Sequence, residues 1–312
     1  MIFFAGAPNP AFLERTTKPL FVAMTALARY KRFPARALLA SGEPAPCAID
    51  GGVFDFMRKH GRLPFEVPQY ADLARRACAE VGGVVRVASL DLMCEANILA
   101  KTGMTVRRHQ ALTNENIAAL RELAPEVPWM FTLQGDTYDD YIEHLEQAER
   151  DGFDLRSEFL VGLGSICRRQ KTKMAERLVR DLVAYGIRLH LLGFKVTGLR
   201  NFADLLGDVQ ETTMQPRASG HGEVGSYDTQ ADNLAARMRD LLHPDCERRL
   251  RETGKGHKNC ASCLPYILMM REQRLAELAD AQAHWGTPSP RVVRAARRSR
   301  SSAQLSLFSE VA

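Results

Sequence analysis

The chain has 312 residues, of which 46% are hydrophobic and 25% charged, so it is long and apolar enough for one large globular domain with appendages. This composition excludes collagenous, fibrous and disulfide-rich proteins, and no run approaches 18 uncharged apolar residues. The formal net charge of +5 is concentrated in residues 288–300, which carry five arginines and no acid. With no leader-like segment at its start, the chain is expected to be soluble and cytoplasmic, with no membrane partner.

Short apolar runs alternate with longer amphipathic stretches over most of the chain, which is typical of βα units around a parallel sheet. Units of about 30 residues favour a (β/α)8 barrel over an open sheet, and no GxGxxG motif follows the first strand to indicate dinucleotide binding. The predicted strands are residues 1–6, 20–28, 45–52, 84–91, 128–135, 157–164 and 188–194. The predicted helices between them are residues 68–81, 114–124, 139–152 and 173–186.

Beyond about residue 200 this alternation stops. Residues 210–230 are polar and rich in turn-forming residues, which predicts a loop, and helices are expected at 229–242 and 264–282. The pattern therefore predicts a barrel over residues 1–242, a zinc-binding subdomain with a closing helix over 243–285, and a flexible, disordered tail over 286–312.

Polar residues close several of the predicted strands, where a barrel of this class places its active site. Asp50, Asp91 and Gln134 each end a predicted strand, and Gly162 and Leu163 stand near the end of another. Carboxylate and amide groups match the donors and acceptors of a planar heterocycle, and glycine lets backbone approach it. The structural alternatives are that the aspartates cap the next helices and that glycine serves turn geometry.

Four residues near the end of the main body have the spacing of a metal site. Cys260 and Cys263 form a CxxC pair, His257 precedes it by three residues, and Cys246 precedes it by fourteen. A closed Cys3His set predicts a structural zinc ion with no open coordination position. A redox CxxC or buried free thiols are the alternatives, and His243 is a second candidate for the histidine ligand.

At these motifs the chain resembles the tRNA-guanine transglycosylase superfamily, most closely its branch of deazapurine-in-DNA transglycosylases. The matching segments are residues 48–54, 89–110, 132–145, 159–170, 188–199 and 257–272. The resemblance implies a (β/α)8 barrel with a zinc subdomain. It also implies an enzyme that exchanges guanine in DNA for a 7-deazaguanine derivative, such as 7-cyano-7-deazaguanine, through a covalent carboxylate intermediate.

The resemblance also assigns roles to the residues at the strand ends. Asp50 takes the place of the general acid/base, and Asp91 that of the aspartate that recognises the deazaguanine base. Gln134 matches the glutamine of a QG motif, while Gly162 and Leu163 match backbone that contacts the base. The target base must first be flipped out of the duplex.

The position of the family's nucleophilic aspartate falls in a segment that departs from the family pattern. The family usually reads DSxAW there, whereas residues 205–220 here read LLGDVQETTMQPRASG. Depending on the gap, the position falls on Asp208, Gln210 or Glu211, and Asp208 is the predicted nucleophile. A glutamine there would leave a catalytically impaired barrel that binds nucleic acid, and the same chemistry on tRNA is the other alternative.

The tail contains the pentapeptide QLSLF at residues 304–308, which is similar to the motif by which bacterial DNA-handling proteins bind the sliding clamp. Gln304, Leu305, Leu307 and Phe308 would enter the clamp's hydrophobic pocket as an extended peptide, with the arginine-rich segment as tether. This motif favours DNA over tRNA, and the arginines would add salt-sensitive attraction to phosphates.

Overall fold

The computed structural model describes residues 1–207, 222–229 and 231–285. Within these residues eight parallel strands pair in chain order, and the last pairs with the first to close a barrel. The strands are β1 (Ile2–Ala7), β2 (Leu20–Ala23), β3 (Cys47–Asp50), β4 (Val84–Ala88), β5 (Trp129–Leu133), β6 (Val161–Leu163), β7 (Arg188–Leu191) and β8 (Glu223–Thr229). The predicted (β/α)8 barrel is therefore confirmed.

Helices cover the outside of the barrel. The α-helices are α1 (Met24–Leu27), α2 (Val53–His60), α3 (Val67–Arg76), α4 (Ala96–Thr102), α5 (Val106–Leu123), α6 (Tyr138–Arg150), α7 (Lys173–Tyr185), α8 (Val196–Leu199), α9 (Ala231–Arg239), α10 (Pro244–Thr253) and α11 (Leu264–Trp285). Short 3-10 helices span Pro10–Glu14 and Arg200–Leu205, and a π-helical turn spans Ala77–Val81. Among the described residues, none of these helices is long and apolar enough to cross a membrane.

Side chains alternate between the two faces of the barrel wall. On β1, Phe3 and Ala5 join the large core between strands and helices, whereas Ile2 and Phe4 join a small cluster made of strand residues. The second set faces the barrel interior, since successive residues of a strand point to opposite faces. The interior is therefore packed at its middle and carries polar side chains at both ends.

The stretch of residues 210–230, predicted as a loop, contains β8, so that prediction is wrong for residues 223–229. The pairing of β7 with β8 shifts register between Leu189 and His190, which leaves an extra residue in β8. This bulge turns Glu223, Ser226 and Asp228 all to the interior, an arrangement that a regular period of two would forbid. The predicted strand at 20–28 is also too long, because a helix begins at Met24.

The last helix, α11, packs along the barrel beside β1 and links the cysteine-rich segment to it. Arg271 is buried and its Nε donates to Phe3 O at 3.3 Å. Arg274 forms an ion pair with Asp232 of α9 at 2.7 Å. The cysteine-rich segment thus stands on a helix that is anchored in the barrel wall.

Candidate active site and metal centre

Asp50 ends β3 at the carboxyl-terminal face of the barrel. Its carboxylate accepts hydrogen bonds from the backbone N–H groups of Gly51 and Gly52, in the turn that leads into α2. Asp50 does not cap this helix, because Gly52 occupies the N-cap position without a side-chain bond. The helix-capping alternative therefore does not account for Asp50.

The surroundings of Asp50 disfavour its charged form. Removal from bulk solvent raises the pKa of Asp50 to about 7, and the negative charges of Asp228 and Asp91 act in the same direction. The two glycine N–H bonds oppose the shift without cancelling it. A carboxyl group with this pKa exchanges protons near neutral pH, which is the range that general acid/base catalysis requires.

Asp228, near the end of β8, is the carboxylate that most strongly affects Asp50. Its side chain is buried, and its Oδ1 accepts the N–H of Gly193 at 2.9 Å. Gly193 has φ of +68°, so the turn after β7 that aims this N–H at Asp228 favours glycine. Sequence reasoning missed Asp228. The usable signal was that Asp228 and Thr229 match the start of the family pattern DSxAW, with the hydroxyl residue threonine in place of serine.

Asp91 and Gln134 meet at the ends of β4 and β5. Gln134 Nε2 donates to Asp91 Oδ2, and both side chains are buried. Burial raises the pKa of Asp91 to about 6, against the hydrogen bond from Gln134 that lowers it. The structure therefore brings these two predicted residues into direct contact, with lone pairs on Asp91 and one amide hydrogen on Gln134 left for a ligand.

Ser165 and Gly164, which follow the end of β6, hold the side chain of Gln134. Ser165 Oγ lies 2.6 Å from Gln134 Oε1 and 3.0 Å from Glu95 Oε2. A side chain at Gly164 would place its Cβ 2.2 Å from Gln134 Nε2, so only glycine leaves room for the amide. Gln134 is thus fixed from three sides, and its amide orientation is set by Asp91 and Ser165.

Gly162 and Leu163 lie in β6, and their predicted role as base-contacting backbone stays a prediction. Gly162 pairs with Thr132 on one side and His190 on the other. Leu163 O accepts from Leu192 N at 3.3 Å, and the Leu163 side chain is buried in the outer core.

The predicted nucleophile, Asp208, lies outside the described residues, as do Gln210 and Glu211. Gly207, the residue before Asp208, is described, and its N–H donates to Val224 O at 3.2 Å. A Cβ at Gly207 would lie 3.1 Å from Met1 N, at the start of the chain. Gly207 therefore stands at the amino-terminal end of the barrel, opposite Asp50.

The four predicted metal ligands converge. One ligand atom from each of Cys246, His257, Cys260 and Cys263 lies within 4.8 Å of the others. The two sulfurs of Cys246 and Cys263 are 3.7 Å apart, which agrees with the edge of about 3.8 Å of a tetrahedron with 2.3 Å metal–sulfur bonds. This segment could therefore bind a metal ion.

The other candidate, His243, has a different part. Its Nδ1 accepts the backbone N–H of Asp245 and caps α10. Its backbone N–H donates to Cys260 Sγ at 3.1 Å. His257 Nε2, by contrast, lies 3.0 Å from that sulfur. Of the two histidines, His257 therefore completes the ligand set.

The thiols of this cluster need a cation to ionise. Burial raises the pKa of Cys260 to about 12 and, together with the neighbouring Cys263, raises the pKa of Cys246. A divalent ion would supply the positive charge that three adjacent thiolates require, and Cys3His is a donor set that zinc prefers. The residues present therefore fit the predicted zinc ion.

Fold and site together define a (β/α)8-barrel protein with clustered aspartates at the carboxyl ends of its strands and a Cys3His cluster beyond β8. The chain belongs to the family described as DeoxyPurine in DNA protein A (DpdA), which it matches over residues 1–219. The match ends before β8 and before the metal ligands. No curated protein matches the chain. Family and fold support an enzyme of deazapurine modification in DNA in general.

Proposed function

We propose that this protein exchanges guanine in DNA for a 7-deazaguanine derivative through a covalent intermediate on Asp228, with Asp50 as general acid/base. The observation that carries the proposal is the pair of interior carboxylates, Asp50 and Asp228, that interact electrostatically at the carboxyl-terminal face. Two carboxyl groups that interact and have different surroundings can divide the work, since one can act as a carboxylate while the other holds a proton.

In the first half of the reaction the ionised Asp228 attacks C1′ of a flipped deoxyguanosine. The bond between C1′ and the guanine nitrogen breaks, an ester bond to Asp228 forms, and protonated Asp50 gives its proton to the departing base. The pKa of Asp50, raised to about 7, keeps a useful fraction protonated at neutral pH.

In the second half the incoming deazaguanine gives a proton to Asp50, and its nitrogen attacks C1′ as the ester bond breaks. Asp228 returns to its carboxylate form and Asp50 to its acid, so protons and charges balance over the cycle. Asp91 and Gln134 are suited to bind either base, because the carboxylate accepts N–H groups and the amide donates to a carbonyl oxygen. Gly162 and Leu163 are proposed to contact the same base through their backbone.

Asp228 is preferred over Asp208 as the nucleophile because of where the chain places the neighbouring residues. Gly207 stands at the amino-terminal end of the barrel beside Met1, whereas Asp228 stands five residues along β8 from Glu223 at that end. Five strand residues span about 17 Å, so the two ends are well separated. This distance supports Asp228, which lies on the same side as Asp50.

Incubating the protein with a labelled 7-deazaguanine base and either duplex DNA or tRNA tests the proposal. Label is expected in DNA with the natural protein and with Asp208→Asn, and in neither nucleic acid with Asp228→Asn. Label in tRNA alone would replace DNA by tRNA as the substrate. Label in neither would favour a barrel that binds nucleic acid without catalysis.

Zinc is proposed to occupy the Cys3His cluster, where it would hold the segment before α11 and leave no open position for catalysis. Metal analysis should give one zinc per chain, and Cys263→Ser should lower both the zinc content and the melting temperature. A protein that keeps its melting temperature without zinc would contradict this role.

The clamp-binding motif at residues 304–308 lies outside the described residues and stays a proposal. Its anchors would be Leu307 and Phe308, and replacing both by alanine should remove capture by the purified sliding clamp. Undiminished capture would rule out clamp binding through this motif.

A further inference from the structure

His190 lies directly beneath Asp228 in the barrel interior. It is buried, with 1% of its surface exposed, on β7. Its Nε2 is 3.3 Å from Asp228 Oδ1, and its Nδ1 is 2.8 Å from Ser226 Oγ. Both partners belong to β8, and the bulge in that strand turns both of them toward the ring.

Aromatic neighbours restrict the orientation of the His190 ring. Phe21 stacks on it with ring centroids 5.3 Å apart and planes 29° apart, and Phe4 contacts it at 6.2 Å in a tilted arrangement. The ring thus has two aromatic contacts, while its two nitrogens face Ser226 and Asp228. When the Ser226 hydroxyl donates to Nδ1, Nε2 carries a hydrogen and donates to Asp228.

Two hydrogen-bonding groups, from Gly193 and His190, contact the same oxygen of Asp228. Oδ1 accepts the N–H of Gly193 at 2.9 Å and faces His190 Nε2 at 3.3 Å. Within the described contacts this leaves Oδ2 as the oxygen for bond formation. A carboxylate held through one oxygen keeps its orientation during the reaction, and a misplacement of about 1 Å can cost about 10²-fold in rate.

We propose that His190, oriented by Ser226, is a positioning residue that holds Asp228 so that Oδ2 attacks the sugar. This inference rests on the proposed function. The hydrogen on Nε2 stays on His190 throughout, and its bond passes from the carboxylate to the ester carbonyl and back as the C1′–Oδ2 bond forms and breaks. Positioning acts on the chemical step, so binding of the base at Asp91 and Gln134 should be unaffected.

The test compares His190→Phe, which keeps a stacking ring but removes both hydrogen bonds, with His190→Gln, which keeps an N–H donor. Exchange into DNA is measured as kcat and as KM for the labelled base. His190→Phe should lower kcat by about 10²-fold with KM changed by less than about twofold, and His190→Gln should recover part of the loss. Ser226→Ala should lower kcat by a smaller factor.

The double variant separates positioning from packing. If Ser226 acts through His190, adding Ser226→Ala to His190→Phe should lower kcat no further, because His190→Phe has already removed the ring nitrogen that Ser226 contacts. The inference is overturned if His190→Phe keeps the natural kcat, if KM rises in parallel with the loss, or if the two losses multiply. If His190→Phe does not fold, His190→Gln and Ser226→Ala provide the test instead. A lower kcat with a nearly unchanged KM supports the inference, and a natural kcat or a parallel rise in KM overturns it.

Failure of this inference differs from failure of the proposed function. Activity lost in Asp228→Asn but natural in the His190 variants overturns the positioning role alone. No exchange by the natural protein, or full exchange by Asp228→Asn, overturns the nucleophile assignment and the positioning role with it.

Discussion

The two ends of β8 each carry a buried carboxylate, but they treat its charge in opposite ways. At the amino-terminal end Glu223 forms a 2.7 Å ion pair with Arg188, and both side chains are almost fully buried. At the carboxyl-terminal end the negative charge of Asp228 acts on a second carboxyl group, that of Asp50, and burial together with this charge raises the pKa of Asp50 to about 7. One end neutralises its charge with a cation, and the other concentrates like charges.

This difference separates a stabilising pair from a reactive one within a single strand. A buried ion pair loses its value when one partner is removed, because the other charge stays buried. At the opposite end, burial together with like charges costs stability but raises the proton affinity that catalysis uses. Removing charge should therefore have opposite consequences at the two ends.

The largest effect is expected for Asp50→Asn, which removes the proton carrier. Exchange into DNA should fall by about 10²- to 10⁴-fold, the range for loss of a general acid/base. Because the pKa of Asp50 is raised, the folded state loses stability as pH rises from about 4 through about 7, and asparagine does not. At pH 8 the variant should therefore unfold at a higher temperature than the natural protein. A variant that is both inactive and less stable would contradict this account.

At the other end, Glu223→Gln should act on stability and leave the chemistry of the folded protein nearly unchanged. It removes the ion-pair partner of the buried Arg188, which should cost about 3 kcal/mol of unfolding free energy. Urea denaturation measures the loss, and exchange assays at a temperature where the variant is folded provide the control. A stable variant with lost activity would remove the distinction between the two ends.

The pH dependence of kcat/KM for DNA should be bell-shaped. The rate should rise through about pH 6 as Asp91 ionises and becomes able to accept N–H groups of the base. It should fall through about pH 7 as Asp50 loses the proton that the departing guanine needs. Well above this pH, kcat/KM should decrease by up to about tenfold per pH unit. Asp91→Asn should flatten the acid limb only, and loss of the basic limb in that variant would reverse the assignment.

A smaller effect is expected for Gly164→Ala, because Gly164 directly follows β6 and lies against the side chain of Gln134. The added Cβ would lie 2.2 Å from Gln134 Nε2, so the amide must move away from Asp91. KM for the base should rise several-fold with a smaller change in kcat. Gly152→Ala, where a Cβ meets no atom within 4 Å, serves as a matched control for an added methyl group, although its φ of +93° adds some strain. An unchanged KM would mean that Gln134 does not bind the base.

The barrel and the metal ligands could be predicted because their signals are local. Repeats of about 30 residues indicate βα units, and three of the four ligands lie within seven residues, 257–263. The placement of Asp91 and Gln134 at one face could be predicted because each follows a parallel strand, although their direct contact was not predicted. In each case neighbouring residues in the sequence, or the shared topology of parallel strands, carried the information.

The remaining features do not show in the alternation of apolar and polar residues along the chain. The bulge in β8 places its outward apolar residues, Val224 and Tyr227, three positions apart, so the period of two that marks a strand is absent. Asp228 was hidden in a predicted loop for this reason. The contact of Ser165 with Glu95 joins residues 70 positions apart, and only the closed barrel brings them together.

The most direct measurement maps the covalent intermediate. DNA carrying 2′-fluoro-arabinoguanosine, whose fluorine slows breakdown of the ester, is incubated with the protein without an incoming base, and the tryptic peptides are analysed by mass spectrometry. Cleavage at Arg217 separates residues 201–217, which contain Asp208 and Glu211, from residues 218–237, which contain Asp228. The nucleotide adduct is expected on residues 218–237 and should be absent in Asp228→Asn. An adduct on residues 201–217 would contradict the assignment of Asp228 as the nucleophile.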